Sequence, residues 1–126
     1  MIILTNMCLI RNGNMILVQN RTKKDWPGLT LPGGKVEKDE SVYQSVLREV
    51  YEETGLRLLS AKGVGYIEWL IDGDRHLCIL FESESYEGEL KSNDEGEDLF
   101  IDIKDLCQYQ FSTDFDKILD IYGIIY

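Results

Sequence analysis

The sequence is poor in the residues that build disulfide frameworks and histidine-based sites. It contains three cysteines, Cys8, Cys78 and Cys107, and a single histidine, His76. Because the cysteines are odd in number, far apart and have apolar neighbours, we expect buried free thiols in a reducing compartment, with neither a disulfide nor a zinc site. A lone histidine offers neither a catalytic triad nor a metal cluster, so the sequence assigns His76 no role.

Long apolar runs are also missing. No run approaches the roughly 20 residues that a membrane-spanning helix requires. The apolar N-terminus is interrupted at Thr5 and Asn6 and lacks the basic start of a signal peptide. We therefore expect a cytoplasmic protein that does not contact membranes. The length of 126 residues predicts one domain, residues 1–126, with a single sizeable core.

Positive charge is scarce. The chain has 13 basic and 23 acidic residues, so its net charge is 13 − 23 = −10. This balance argues against a protein that binds duplex nucleic acid through a basic surface. A small anionic substrate can still bind through a metal ion and a few basic side chains.

Alternating apolar and polar residues predict strands along much of the chain. Asn12-Gly13 is a strong hairpin signal, and Asp72-Gly73-Asp74 marks a second hairpin. Near the C-terminus a helical period appears, and Ser112-Thr113-Asp114 predicts its cap. The predicted strands are residues 2–10, 15–19, 64–71, 75–83 and 99–103, and the predicted C-terminal helix is residues 114–122.

A second helix is predicted at residues 42–54. Ser41 and Gln44 have the spacing of a capping box, and Gly55 is a plausible C-terminal stop. Glu49, Glu52 and Glu53 fall within an arc of about 100° on this helix.

Carboxylates at this spacing repel one another, and the one nearby cation, Arg48, cannot neutralise all of them. Hard divalent cations bind carboxylate oxygens, and Mg²⁺ is the usual companion of phosphate. The alternative for such a run is an ordinary solvated acidic face.

The same region carries an extended motif. Residues 34–56 follow the pattern Gly-x5-Glu-x7-Arg-Glu-Val-x-Glu-Glu-x-Gly-Leu. The fixed positions are occupied by Gly34, Glu40, Arg48, Glu49, Val50, Glu52, Glu53, Gly55 and Leu56. This segment resembles the Nudix box, the signature of the Nudix hydrolases, without departure at any fixed position. Residues 26–35 lead into it as in MutT-like members, and residues 94–97 lie where relatives often place another acidic side chain.

The resemblance implies a fold and a set of site residues. The expected fold is the Nudix α/β/α sandwich, an α/β architecture with a mixed β-sheet. Arg48 would orient a glutamate, and Glu40 would support it. The implied metal ligands are Glu49, Glu52 and Glu53, the main-chain carbonyl of Gly33 and, with less support, Glu97, with Asp94 and Glu95 close behind.

The implied reaction is attack by metal-activated water on one phosphorus of a nucleoside diphosphate linked to another group. Mg²⁺ is the expected cofactor, with Mn²⁺ as the alternative. The approach to the box looks most like MutT-type 8-oxo-dGTP diphosphatases, so we expect a nucleoside triphosphate to yield the monophosphate and pyrophosphate. Homodimerisation is common among relatives and is expected here.

Substrate-binding residues are harder to predict. Arg21 and Lys35 occupy positions where they could offset phosphate charge, although each could equally be a surface cation. Trp26 and Trp69 could stack on a base, but tryptophan more often serves packing. Two functional alternatives remain: hydrolysis of another substrate, such as a nucleotide sugar, ADP-ribose or a capped RNA end, or a non-catalytic Nudix-like sensor.

Overall fold

The computed structural model describes residues 1–22, 27–91 and 96–126. Strands dominate this part of the chain, and the two α-helices lie far apart in sequence. The elements are β1 (Ile2–Asn12), β2 (Met15–Arg21), β3 (Gly28–Thr30), β4 (Gly33–Lys35), α1 (Val42–Thr54), β5 (Arg57–Leu58), β6 (Lys62–Ile71), β7 (Asp74–Ser83), β8 (Tyr86–Glu87), β9 (Gly96–Asp102), a 3₁₀ helix (Ile103–Gln108) and α2 (Phe115–Ile121).

Seven of the described strands form one mixed sheet. The main order is β3-β2-β1-β7-β6, and two further pairings join β4 to β1 and β9 to β2. The long pairing of β1 with β7 is parallel, whereas the others are antiparallel. β5 and β8 form a separate two-stranded sheet.

The helices cover opposite faces of the large sheet, as expected of an α/β/α sandwich. Successive side chains of a strand point to opposite faces, so β1 sends Cys8 and Ile10 toward α1 and Leu9 toward α2. The α1-side core consists of Cys8, Ile10, Leu17, Val46, Val50, Leu56, Leu58 and Phe81. The α2-side core consists of Leu9, Ile16, Val18, Leu29, Leu31, Ile101, Leu106, Phe115, Ile118, Leu119 and Ile124. The predicted fold class is confirmed.

Local signals fix both ends of α1. The Ser41 hydroxyl accepts a hydrogen bond from the Gln44 amide at 3.0 Å, and the Gln44 side chain accepts one from the Ser41 amide at 2.9 Å. Gly55 ends the helix in the left-handed conformation, with φ of 81°. A Cβ there would lie 2.7 Å from the Glu89 carbonyl oxygen, so a larger residue is also sterically excluded. The predicted range, residues 42–54, is confirmed.

Both predicted hairpins are present, with small shifts at their turns. The first turn is Gly13-Asn14, one residue later than predicted, because Asn12 still pairs with Met15. In the second, Asp72 and Gly73 have φ of 51° and 84°, as two-residue hairpin turns favour. Pairing of Ile71 with Asp74 then sets the β6–β7 register.

Other boundaries and several short elements escaped prediction. β9 begins at Gly96 instead of Leu99, and α2 spans Phe115–Ile121. The short strands β3, β4, β5 and β8 and the 3₁₀ helix were not anticipated, because two or three residues carry no detectable period. No helix among residues 1–22, 27–91 and 96–126 combines the length and apolarity needed to cross a membrane.

The cysteines correct one expectation. All three are free, and Cys8 and Cys78 are buried as predicted, but Cys107 is exposed. The reason is its place in the 3₁₀ helix, where Leu106 turns into the core and Cys107 points outward.

Candidate active site

Two glycines allow β4 to fit between β1 and α1. A Cβ at Gly33 would collide with the backbone of Asn6 and would lie 2.8 Å from Met7 Cα. A Cβ at Gly34 would lie 2.5 Å from Oε2 and 2.7 Å from Oε1 of Glu49. Side chains larger than hydrogen would therefore push the loop away from the helix. The motif's glycines bring backbone into contact with the carboxylates of α1.

Arg48 is the centre of a carboxylate network. Its Nε and Nη2 donate to the two carboxylate oxygens of Glu40 at 2.9 and 2.6 Å, and Nη1 donates to Glu49 at 2.9 Å and to Glu52 at 3.2 Å. Nη2 also donates to the Lys35 carbonyl at 3.1 Å. The hydrogen bond from Arg48 lowers the pKa of Glu40 to about 2. This fork–fork geometry holds the guanidinium in one orientation.

Glu49 is much more buried than Glu52 in this network. Its side chain is 17% exposed, whereas that of Glu52 is 56% exposed. Burial raises the pKa of Glu49, and the hydrogen bond from Arg48 opposes that effect. A carboxylate removed from water requires positive compensation to remain charged.

Glu53 faces a different set of partners. Its Oε2 accepts hydrogen bonds from the Gly33 amide and from Gln19 Nε2, each at 3.1 Å. Asn6 supports the same region, because its Nδ2 donates to Ser45 Oγ at 2.8 Å and its Oδ1 accepts from the Gly34 amide at 3.4 Å. Sequence reasoning missed Gln19 and Asn6, because both lie far from the box along the chain.

The donor set suits a hard divalent cation. Glutamate and carbonyl oxygens are the ligands that Mg²⁺ prefers. Among the described residues, no three Asp, Glu, His or Cys side chains converge as a ready metal cluster. The reason is that Arg48 draws Glu49 and Glu52 to itself while Glu53 turns toward Gly33. A bound cation would stabilise the poorly solvated charge of Glu49.

An apolar cavity of ≈ 490 Å³ opens beside Glu53. It reaches from the Gly33–Gly34 backbone to the β6–β7 hairpin and the start of α2. Its lining residues are Thr5, Asn6, Met7, Gln19, Arg21, Thr30, Leu31, Gly33, Gly34, Glu53, Trp69, Ile71, His76, Cys78, Ser112, Thr113 and Ile118. A mostly apolar cavity with a few polar groups is typical of a small-molecule site.

Trp69 forms one wall of this cavity and is held in place by Asp114. The indole Nε1 donates a hydrogen bond to Asp114 Oδ2 at 2.7 Å, and Lys117 lies 3.3 Å from the other carboxylate oxygen. The bond from Trp69 and, after it, that from Lys117 lower the pKa of Asp114. The predicted capping role is wrong in detail, because Asp114 makes no side-chain cap bond and has φ of 65°.

The other predicted substrate and metal residues are distributed differently. Arg21, at the end of β2, lines the cavity. The Lys35 side chain is exposed and lies outside the cavity lining, although its carbonyl binds Arg48. Glu97 is exposed on β9, opposite Asn20 of β2. The substrate-binding roles of Arg21 and Lys35 and the metal-binding role of Glu97 stay predictions. The predicted residues Trp26, Asp94 and Glu95 lie outside the described residues.

Comparison with known proteins agrees with this fold. The NUDIX domain family model matches residues 3–119. The chain is 36% identical over 119 residues to an ADP-ribose pyrophosphatase of Methanocaldococcus jannaschii, covering 90% of this chain and 69% of that protein. It is 29% identical over 106 residues to an oxidized purine nucleoside triphosphate hydrolase of Danio rerio, covering 80% and 66%.

Solved structures share the architecture. A MutT NUDIX hydrolase from Burkholderia pseudomallei superposes with a TM-score of 0.83 at 23% identity, over 95% of this chain and 97% of that one. This likeness shows that the chain shares the fold of that structure, and in this chain the glycine-bounded strand β4 lies against the glutamate-bearing helix α1. The chain belongs to the Nudix family and is a Nudix hydrolase. Nudix hydrolases generally use divalent metal ions and act on small-molecule nucleotide substrates.

Proposed function

We propose that this hydrolase cleaves a nucleoside triphosphate in the presence of Mg²⁺ and releases the nucleoside monophosphate and pyrophosphate. One observation carries the proposal: the carboxylate network and the apolar cavity meet at Gly33, Gly34 and Glu53. Phosphates beside the glutamates would therefore place the attached nucleoside in the cavity. An oxidised purine triphosphate such as 8-oxo-dGTP is the leading candidate substrate.

Glu49, Glu52 and Glu53, with the carbonyl of Gly33, would hold the divalent ion. When bound, the ion would supply charge neutralisation for the phosphates and lower the pKa of a coordinated water. Glu97 remains a candidate for a further ligand or base.

The chain's own residues have separate tasks in this reaction. Arg48, fixed by Glu40, positions Glu49 and Glu52, while the Gly33 amide and Gln19 position Glu53. A carboxylate of the cluster accepts the proton of the attacking water. The water oxygen bonds to one phosphorus, the bridging P–O bond on that phosphorus breaks, and the leaving phosphate group takes the electron pair of that bond.

Positive side chains would balance the substrate's charge. Arg21 lines the cavity near its glutamate end and suits contact with a phosphate or with the ribose. Lys35 is exposed next to Gly34, where a flexible ammonium can reach an outer phosphate.

A second substrate, ADP-ribose, is favoured by one observation: the M. jannaschii relative named for that activity is more identical to this chain than the D. rerio relative. Both compounds contain a nucleoside joined to a diphosphate. The two therefore fit the same arrangement of network and cavity, and only product analysis separates them.

The test is incubation of the purified protein with nucleoside triphosphates, 8-oxo-dGTP, ADP-ribose and nucleotide sugars, with Mg²⁺ or with chelator. We expect Mg²⁺-dependent release of pyrophosphate from a triphosphate. If only ADP-ribose were cleaved, yielding AMP, the substrate would be ADP-ribose and not a nucleoside triphosphate. Turnover that persists in chelator would contradict the metal assignment.

Glu53→Gln provides the matched variant, because it keeps the shape and removes the charge. We expect turnover to fall about 100-fold or more, with the free energy of unfolding changed by no more than about 1 kcal/mol. Glu89→Gln, at a carboxylate outside the network, is the control and should keep full activity.

A further inference from the structure

His76 lies at the end of the cavity that is remote from the carboxylates. It is on β7 directly opposite Trp69 on β6, and residues directly opposite in an antiparallel pair share a face. Both line the cavity. Within the described residues, the His76 ring makes no hydrogen bond, so its donor and acceptor nitrogens are available to a bound molecule.

The neighbouring Trp69 side chain is held in one orientation by a hydrogen bond. Its Nε1 donates to Asp114 at 2.7 Å, and Asp114 adopts a φ of 65° at the start of α2 while making no cap bond. Few non-glycine residues adopt this conformation, and aspartate is one of those that do so most readily. The ion pair with Lys117 and the indole bond hold the Asp114 carboxylate between two partners. The indole plane is thus held at one wall of the cavity.

The position of His76 also defines how far a ligand must reach. On β1, Met7 pairs with Gly33 of β4, whereas Ile3 pairs with His76 of β7. These rows are four residues apart, which is about 13 Å along the strand. A two-ring base extends further from its ribose than a one-ring base does, so a ligand with phosphates at Gly33 reaches His76 better as a purine.

The other ionisable residues in the lining do not compete for this role. Arg21 and Glu53 line the cavity from β2 and α1, and Glu53 is bound to Gly33 and Gln19. Cys78 is two residues further along β7 from His76, and burial raises the pKa of its thiol to about 11. His76 is therefore the ionisable side chain at the remote end of the described lining.

We propose that His76 determines base specificity: its ring nitrogens hydrogen-bond to the edge of a purine base whose face rests on Trp69. This inference rests on the proposed function for the location of the phosphates. Base edges present hydrogen-bond donors and acceptors, and aromatic side chains stack on base faces regardless of sequence. Trp69 then supplies affinity for any base, and His76 supplies the preference for purines.

Kinetics with Mg²⁺ and purine or pyrimidine nucleoside triphosphates tests the proposal. His76→Leu should lower kcat/KM for purine substrates about tenfold, mainly through KM, and should leave pyrimidine substrates nearly unchanged. His76→Gln, which keeps a donor and an acceptor, should recover part of the loss. Tyr66→Phe is the control, because Tyr66 is 62% exposed on the opposite face of β6. Equal losses for both classes, or no loss, would overturn the assignment.

Binding of phosphate-free nucleosides separates this inference from the proposed reaction. The chain has one histidine, so its Cε1 proton gives a single assignable NMR signal. Guanosine or adenosine should shift this signal in a saturable manner, and uridine should shift it far less. If triphosphates are hydrolysed but no purine nucleoside moves the signal, the inference fails and the reaction stands. If nothing is hydrolysed but purine nucleosides bind, the reaction fails and the base site stands.

Discussion

Among single residues, Arg48 shows how one cation can organise several carboxylates without neutralising them. Its bidentate contact with Glu40 uses two of its nitrogens, Nε and Nη2, and fixes the plane of the guanidinium. The third nitrogen, Nη1, donates to Glu49 and Glu52. Lysine cannot reproduce this fork, since its ammonium is a point charge on a flexible stem. The arginine of the motif is thus required for its shape as well as its charge.

Gly34→Ala should damage catalysis more than folding. The added Cβ would lie within 2.7 Å of the Glu49 carboxylate oxygens and displace them. A displacement of about 1 Å can reduce turnover about 100-fold, while the overpacking costs about 1–3 kcal/mol. Pyrophosphate release and urea unfolding measure the two effects.

Gly63→Ala is the matched control for this substitution. A Cβ at Gly63 meets only the Phe81 ring at 3.9 Å, which is ordinary contact. We expect unchanged turnover and a free energy of unfolding no lower than that of the wild type. Equal activity of the Gly34 and Gly63 variants would show that the close approach to Glu49 has no catalytic importance.

Glu40 should contribute to stability in a pH-dependent way. The hydrogen bond from Arg48 lowers its folded-state pKa from the ordinary 4.5 to about 2. A lowered pKa gives stability that is present above pH 4.5 and is lost as the pH falls toward 2. The difference in unfolding free energy between wild type and Glu40→Gln should therefore shrink over this interval in urea titrations. A constant difference would argue against the ion pair.

The cysteines should differ in reactivity. Burial is the main cause that raises the pKa of Cys8 to about 12 and that of Cys78 to about 11, whereas Cys107 is exposed. Since the thiolate is the nucleophile, a thiol reagent should modify Cys107 alone in the folded protein and all three residues in denaturant. Cys107→Ser should abolish the native-state reaction. Rapid labelling that survives this substitution would contradict the burial of the other two.

At the scale of elements, α1 has two ends with different tasks. The N-terminal end carries the Ser41–Gln44 capping box, and the C-terminal half carries the carboxylates. On another side of the helix, Val46 and Val50 pack on the sheet. The helix thus works as a rigid support that is capped at one end and presents the glutamates at the other.

Ser41→Ala should separate these tasks. Loss of the cap should lower the free energy of unfolding by about 1 kcal/mol, because the Gln44 amide loses its acceptor. Turnover should change little, since the carboxylates are one or more turns away. Ser60→Ala, at an exposed serine outside the helix, is the control. A large loss of activity at a temperature where the variant is folded would link the cap to the site.

The β6–β7 hairpin shows how a turn decides which side chains meet. Asp72 and Gly73 form a two-residue turn, and that loop length places Trp69 opposite His76. The pairing of Trp69 with His76 could have been predicted from the sequence, because a two-residue loop fixes the register of the two strands. It was missed because the turn was predicted to have three residues, 72–74.

At the scale of the whole molecule, one sheet is shared by two hydrophobic cores. β1 and β2 contribute to both, with Leu17 on the α1 side and Leu9 on the α2 side. The candidate active site lies where the sheet, α1 and the cavity on the α2 side come together. Loss of packing in either core would displace β1 and β2, whose side chains also form the other core.

The two cores should therefore unfold together. Leu17→Ala and Leu119→Ala, each at a fully buried position on its own side of the sheet, should each cost about 2–5 kcal/mol. Circular dichroism and tryptophan fluorescence should give coincident urea transitions in both variants. Leu70→Ala, at a side chain 69% exposed, should have little effect. Two separated transitions would show that the cores are independent.

The helix of residues 42–54, the two hairpins and the family motif could all be predicted from the sequence. These features depend on caps, turn residues and fixed spacings, which are local and therefore visible along the chain. Glu49, Glu52 and Glu53 could be grouped in advance because they share one helix.

The partners of those glutamates could not be predicted from the sequence, because they depend on how the chain folds. Asn6 and Gln19 reach the site from β1 and β2, and His76 and Trp69 meet at the far end of the cavity. These contacts join residues distant in sequence, so they depend on strand order and packing. The same physics explains the error at Asp114, whose partner, Trp69, is 45 residues away.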